Sequence, residues 1–592
     1  LSPGGLRAAF ARYLHKCFRC VILETTFGRE AAMRPISIGN DGFYEIRKNN
    51  AFYVDKTAFI KEWWEELDKV TLITRPRRFG KTLNMQMLGC FFSERYAGKG
   101  EELFDGLDIW KEEKYRQLQG TYPVIFLSFA NVKKDTYASA REGIISVIDD
   151  LFKNFKRSWK NDSDEQKKEY SFMSLTKESS DTQIANSLHE LSSYLEFRYD
   201  KKCLIFLDEY DTPLQEAYVR GYWDEMSYLI RDLFNSTFKT NPSMERGVMT
   251  GITRVSKESI FSGLNNLNVI TTTSRQYETA FGFTEKETFD ALEEYGLSDM
   301  KSDVREWYDG FTFGDTPDVY NPWSIVNFLK KRELQPYWAN SSNNGLINRQ
   351  LRLADASIKS QMETLMNGGS IKTKLDEEII FSQLDRNPKA IWSLFLAGGY
   401  LKVVKREFDG SWFDYTLTLT DKEVRLMFEQ MINGWFSESV NSNNEFIHAM
   451  INGDVDGMNV YINMIASISF SSFDVGNRPS ESTTPERFYH GFVLGLLVSE
   501  RNRYLIRSNR ESGYGRYDIC MYPKKKDLPG IIIEFKVQNE NAGEETLSDT
   551  ADIALQQIEA KDYASDLKSE GVEDILKYGF AFAGKKVFIK KR

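Results

Sequence analysis

The chain has 592 residues, 41% of them apolar, and a net charge of −9. Its length holds roughly three to five domains of ordinary size, and its acidic balance excludes a broadly cationic nucleic-acid coat but not a local basic channel. No apolar run reaches the roughly 18 residues that suggest a membrane span. Five scattered cysteines are too few for a disulfide framework, so a reducing cytoplasm and no membrane partner are expected.

Residues 1–32 begin at Leu1 and mix arginine, alanine and aromatics without clean periodicity. They fit a targeting peptide or, more plainly, an extension outside the functional unit with Met33 as the natural start. Cys17 and Cys20 form one C-x-x-C without a second pair, which reads as chance spacing rather than a zinc site. From Met33 the pattern becomes regular. "AFYVDKTAFIKEWWEEL" gives an extended piece and an amphipathic helix. "KVTLIT" gives a strand, and Thr82 to Phe92 a helix. "PVIFLSFA" (123–130) is a second buried strand, "CLIFLDEYDTP" (203–213) a third with an acidic end, and "RGVMTGITR" (246–254) a fourth. Helices alternate with these strands, which predicts a parallel sheet covered on both faces.

After about residue 275 the chain turns helical and loop-rich. Over 388–432, "KAIWSLFLAGGYLKVV", "YTLTLTD" and "KEVRLMFEQMI" read as helix, hairpin and helix, the order of a winged-helix module. "VGNRPSESTTPE" (475–486) reads as a linker, and a final α/β unit follows it.

The first chemical signal is "TLITRPRRFGKT" (71–82). A loop that leaves a strand and opens a helix presents unpaired N–H groups and a partial positive charge to an anion. Gly80 ends that loop. Lys81 can reach the β- and γ-phosphates, and the Thr82 hydroxyl can ligate Mg²⁺. The glycine usual five positions before Gly80 is Arg75, so the turn must be made another way, with Pro76 fixing φ. Arg75, Arg77 and Arg78 bring positive charge that either reaches phosphate or sits in water. Downstream, the strand "CLIFLDE" ends in Asp208, placed to hold Mg²⁺, and Glu209, placed to polarise an attacking water. This is a Walker A and Walker B arrangement.

"YVDKT", "RPRRFGKT", "FLDEYDTP", "GITRVSKESIFSGLNN" and "YNPWSI" occur in this order and together resemble the AAA-ATPase-like family. In that family an arginine-rich stretch usually replaces the first glycine. The resemblance implies that Thr253 and Arg254 sit beside the γ-phosphate and sense it. Arg254 would act within its own subunit or across the interface of a homo-oligomer built through the ATPase domain.

The second signal is "RESGYGRYDICMYPKKKDLPGIIIEFKV" (510–537). With a period of two, Ile531, Ile533 and Phe535 face one side of a strand and Ile532, Glu534 and Lys536 the other. A buried carboxylate and ammonium on one face cost desolvation energy unless a partner such as a metal is present. A hairpin return through "KKKDLPG" brings Asp518 next to Glu534, and two carboxylates can hold a hard divalent cation. Lys536 can orient or deprotonate water, or stabilise charge on the phosphorane. This Asp, spacer, Glu-x-Lys pattern resembles the PD-(D/E)xK nuclease superfamily, although Tyr517 stands before Asp518 where that superfamily's motif has proline. The helix "PERFYHGFVLGLL" places Glu486 and His490 on one face, and the resemblance implies that Glu486 joins the metal site. Gln557 and Tyr563 in "ALQQIEAKDYA" are similar to the Gln/Tyr helix of RecB-like members.

The expected organisation is an extension (1–32), a P-loop AAA-ATPase-like domain (33–275), a helical lid (276–387), a winged-helix-like and helical region (388–480) and a PD-(D/E)xK nuclease-like domain (481–592). The fold class is α/β: a P-loop parallel sheet, a helical and winged middle, and a restriction-endonuclease-like α/β end. Two functions compete. One is an ATP-binding ATPase coupled to a metal-dependent nuclease acting on nucleic acid, DNA favoured, with ATP and Mg²⁺ as cofactors and Mn²⁺ as an alternative at the acidic site. The other is an ATP-driven binding or signalling switch whose nuclease fold does not cleave. The presence of both Glu209 and Lys536, which serve chemistry more than grip, favours the enzyme.

Overall fold

The computed structural model describes residues 33–253, 260–261, 263–341, 345–354, 356–375, 390–437, 440–469, 493–494, 496–512, 515–525, 528–539, 544–583 and 586–592. Cys17, Cys20, Arg254, Glu486 and His490, and the expected linker 475–486, lie outside the described residues.

The first sheet is parallel and holds β1 (Val70–Thr74), β2 (Val124–Ser128), β3 (Cys203–Asp208), β4 (Met244–Gly251) and β5 (Leu267–Ile270), in the order β2-β3-β4-β1-β5. Four of these are the predicted strands; β5 is an addition. The strand period of two divides their side chains between two cores. Val70, Leu72, Ile205, Leu207 and Met249 pack with the helices Tyr137–Ser158, Asp181–Tyr199 and Trp223–Phe234. Ile73, Leu204, Phe206 and Val248 pack with Trp63 and the helix Lys81–Phe92 on the other face. With both faces covered, the strands read as near-continuous apolar runs, which is why they were legible. Local signals start the helices: Thr136 accepts from Ser139 N–H, and Ser180 with Gln183 forms a capping box.

The next sheet is small: β6 (Phe283–Thr284), β7 (Asp309–Phe313) and β8 (Thr316–Tyr320), in the order β6-β8-β7. Asn321 then caps the helix Pro322–Lys331, accepting from Trp323 and Ser324 N–H at 2.9 and 3.3 Å. Proline at the first helical position lacks a donor that the helix would not have used.

The expected helix, hairpin and helix follow: Ala390–Gly398, then β10 (Leu401–Phe408) and β11 (Phe413–Leu419), then Lys422–Ser437. β9 (Ile371–Lys374) adds to β11, giving the order β10-β11-β9. The Gly-Gly break has a packing reason. Gly399 has φ +85, and a Cβ there would stand 2.8 Å from Pro76 and 2.9 Å from Phe311. The turn before β10 therefore packs directly on the loop after β1 and on β7.

The last sheet is mixed. It holds β12 (Tyr504–Ser512), β13 (Gly515–Pro523), β14 (Gly530–Val537), β15 (Ile575–Ala583) and β16 (Lys586–Lys591), in chain order. Only β14 and β15 run parallel, joined through the helix Leu547–Ala560. Ile531, Ile533 and Phe535 pack with Phe446, Met450, Met458 and Ile462 of the helices Val440–Asn452 and Val455–Ser469. Ile532 faces Leu555 and Ile558 on the opposite side. Asn459 and Asn463 imitate a neighbouring strand: each donates to and accepts from β16 backbone, at Ile589 (2.9 and 2.8 Å) and Val587 (2.7 and 2.9 Å). This closes an edge that would otherwise be open to foreign strands. Among the described residues no helix is long and apolar enough to cross a membrane.

Candidate active sites

β1 and β3 flank β4, so the loop after β1 and the acidic turn after β3 emerge at the same end of the sheet. That end, beyond the carboxyl ends of parallel strands, is where open α/β sheets bind ligands. Gly80, with φ +80, opens the helix Lys81–Phe92; no side chain caps this helix start, and a Cβ on Gly80 would meet only open space. The Thr82 hydroxyl donates to Asp208 Oδ2 at 2.7 Å, and the Thr250 hydroxyl donates to Asp208 Oδ1. Asp208 is buried, which raises its pKa against the opposing pull of those two hydroxyls. Glu209 follows in a left-handed turn, φ +51, and accepts from the Thr212 hydroxyl at 3.1 Å. Lys81 is buried and its pKa is lowered by that burial. Its ammonium folds back onto the carbonyls of Arg75 (2.9 Å) and Pro76 (2.8 Å). The predicted residues Gly80, Lys81, Thr82, Asp208 and Glu209 thus share one site. These residues fit a nucleotide with Mg²⁺: an open helix N-terminus, a cation held only by replaceable carbonyls, and a hydroxyl beside a carboxylate.

The three loop arginines separate into different roles. Arg75 is wholly buried, so it does not sit in water. Its guanidinium donates to the carbonyls of Thr74 (3.0 Å) and Thr271 (2.6 Å) and lies 4.7 Å from the Phe313 ring centre. Burial pulls its pKa down to about 9. The bond to Thr271 pins the loop to the end of β5. Arg78 is exposed, with φ +65, and stacks on Trp323 at 4.5 Å. Arg77 offers its carbonyl to the indole of Trp338 (3.0 Å) and the amide of Asn321 (3.4 Å). Glu423, in the helix Lys422–Ser437, accepts from Ser324 Oγ (2.8 Å) and Trp338 N–H (3.3 Å). The loop is therefore stapled to the middle region through "YNPWSI". Thr250 and Trp338 escaped sequence reasoning because neither residue type announces its partner.

The second site lies on β14, the central strand of its sheet rather than an edge. Asp518, from β13, accepts from Phe535 N–H at 2.8 Å, which sets its carboxylate against β14 one residue from Glu534. Glu534 is 2% exposed. One oxygen, Oε1, takes the Gln557 amide and lies 3.4 Å from Lys536 Nζ. The other, Oε2, has no hydrogen-bond partner among the described residues. Burial first, and the Asp518 charge second, push the Glu534 pKa well above the usual carboxylate range. Leaving such an oxygen unpaired costs about 1–3 kcal/mol, so the geometry fits a divalent cation better than it fits a bare core. Gln557 also donates to Tyr563 OH at 3.2 Å. Asp518, Glu534, Lys536, Gln557 and Tyr563 are brought together as expected. Among the described residues no group of three or more His, Cys, Asp or Glu is arranged to hold a metal.

Comparison with known proteins agrees with both geometries. Residues 37–261 match the AAA-ATPase-like family, described as a predicted AAA-ATPase, and residues 484–592 match the PD-(D/E)XK nuclease superfamily. A protein of Azotobacter chroococcum mcd 1, described as an uncharacterized protein in the vnfD 5' region, is 29% identical over 316 residues, 52% of this chain and 54% of that protein. The chain thus spans about half the length of the curated relative it matches.

Proposed function

We propose, for a chain that carries an AAA-ATPase-like domain and a PD-(D/E)XK nuclease superfamily domain, that ATP binding and hydrolysis at the first site govern metal-dependent cleavage of nucleic-acid phosphodiesters at the second. Lys81 leaves the loop carbonyls for the β- and γ-phosphates, and Glu209 orients the attacking water. Mg²⁺, held through Thr82 and Asp208, would neutralise phosphate charge. The family resemblance assigns Thr253 and Arg254 to sensing the γ-phosphate. At the second site Asp518 and Glu534, with Glu486, would hold Mg²⁺ or Mn²⁺. Lys536 orients water toward the scissile phosphate and offsets the charge that develops there. DNA is the favoured substrate, and assembly into a homo-oligomer through the first domain is part of the proposal.

What carries the reading is Glu534: a carboxylate at the centre of a sheet, with one oxygen unpartnered among the described residues and a second carboxylate beside it. The test is cleavage of circular and linear DNA with Mg²⁺ or Mn²⁺. Wild type should cleave and Asp518→Ala should not; equal inertness of both on every substrate would remove the nuclease. One observation favours the switch reading: the staple from the Arg77 carbonyl through Trp338 to Glu423 gives the nucleotide loop a mechanical route to the middle region without any turnover.

A further inference from the structure

The acidic turn has another carboxylate, which the proposed mechanism does not use. Asp211 follows Asp208 by three residues, just before the helix Thr212–Arg220, and is 1% exposed. Its Oδ2 accepts from the backbone N–H of Ile252 (3.0 Å) and of Thr253 (2.9 Å), from the Thr253 hydroxyl (3.0 Å) and from the Gln215 amide (2.7 Å). Tyr210, beside it, donates its N–H to Thr250 O (3.0 Å) and its hydroxyl to Thr253 O (2.7 Å). Every polar group of Thr253 is therefore held by the turn that follows β3. The fit is close enough to require glycine at 251: a Cβ there would stand 2.8 Å from Asp211 Oδ1 and 2.6 Å from the Tyr210 ring. On the other side, Gly251 O accepts from Arg75 N–H at 3.2 Å, at the root of the phosphate loop. The Gly251–Thr253 turn thus bridges the loop that grips phosphate and the turn that carries Glu209.

One oxygen of this buried carboxylate is held by four donors, which commits it to the exit of β4. It acts through what it holds. We infer that Asp211 is a positioning residue for hydrolysis: by holding Thr253 it locks the exit of β4 to the acidic turn, so that Glu209 and the loop after β1 face the terminal phosphate as one rigid frame. The inference rests on the ATPase reading proposed above. It assigns affinity and turnover to different residues. Lys81 and Thr82 bind; Asp211 sets the geometry in which bound ATP reacts.

The experiment measures ATP affinity with a fluorescent analogue, and single-turnover hydrolysis, on the full chain. The proteins are wild type, Lys81→Ala, Asp211→Ala, Asp211→Asn and Thr253→Val. Misplacing a reacting frame by a fraction of an ångström costs rate and not affinity, so Asp211→Ala should lose about 30-fold or more in hydrolysis with ATP affinity within about threefold of wild type. Asp211→Asn, which keeps an acceptor oxygen, should recover part of the rate. Thr253→Val, which removes one of the bonds, should fall between Asp211→Asn and wild type. If Asp211→Ala does not fold, the latter two proteins carry the same comparison. Two outcomes overturn the inference alone: Asp211 variants that hydrolyse like wild type, or variants that lose affinity, rate and melting temperature together. Wild type that binds ATP but shows no turnover dependent on Lys81 overturns the ATPase reading, and the inference with it.

Discussion

The two sites handle buried charge in opposite ways. At the nucleotide loop three buried charged groups have partners within the chain: Lys81 on loop carbonyls, Asp208 on two hydroxyls, Asp211 on the β4 exit. At β14, Glu534 keeps one oxygen without a partner among the described residues. The first arrangement is stable without ligand and must exchange bonds when one arrives, which suits a site that reports occupancy. The second leaves a buried oxygen to be satisfied from outside the chain's described groups, which suits a site proposed to hold a cation. The difference predicts which substitutions should hurt activity and which should help stability.

The largest effect falls on the second site. Asp518→Ala and Lys536→Ala should each lower metal-dependent DNA cleavage more than about 100-fold, with the melting temperature little changed; cleavage assays beside thermal melts read both. Glu534→Gln separates the two properties. Above about pH 8, where Glu534 is ionised, removing that charge from the core should stabilise the metal-free protein by about 1 kcal/mol while abolishing cleavage, and Mg²⁺ should raise the melting temperature of wild type but not of this variant. A Glu534→Gln protein less stable than wild type would mean that the site is not frustrated.

At the first site, Lys81→Ala should weaken ATP binding by about 2 kcal/mol or more, as expected for a desolvated charge-assisted contact, and calorimetric titration measures it. Trp338→Phe removes one donor to the Arg77 carbonyl and should cost about 1 kcal/mol of stability. Its sharper consequence is on coupling: any effect of ATP on cleavage should weaken while ATP binding persists.

The smallest effect concerns pH. Asp309, at the start of β7, has its pKa pushed up to about 6, first by burial and second by the Asp318 charge, with Lys402 opposing. A raised carboxylate pKa means that the folded state holds the proton more tightly than the unfolded chain does. Its contribution is therefore fully present below the unfolded pKa and lost as pH rises through about 6. The melting temperature should fall slightly across that range, and Asp309→Asn should flatten the profile.

Much of this was legible beforehand because the signals were local or periodic. The buried strands announced themselves as apolar runs, and the period of two in "GIIIEFKV" correctly divided Ile531, Ile533 and Phe535 from Ile532, Glu534 and Lys536. The Gly-Lys-Thr and Asp-Glu pairs met as expected because their strands are near neighbours in a parallel sheet. What stayed hidden depends on long-range packing. Nothing in "RPRRFG" says that Arg75 turns inward while Arg78 stacks outside, since the aromatic rings that decide it, Phe313 and Trp323, lie more than two hundred residues away. Asp211 in "DEYD" reads as one more acid at a solvated turn until its donors, Ile252 and Thr253, come beside it across the sheet. The Asn459 and Asn463 seal on β16 was invisible for the same reason: amides on a polar helix face carry no mark of the strand they complete.

The central claim is that occupancy of the first site controls chemistry at the second. The most direct measurement is the initial rate of Mg²⁺-dependent DNA cleavage as ATP is titrated, for wild type and Lys81→Ala side by side. The account predicts a rate that changes saturably with ATP in wild type and stays flat in Lys81→Ala, with Asp518→Ala inactive throughout. A wild-type rate indifferent to ATP, or a Lys81→Ala protein that responds as wild type does, would contradict it.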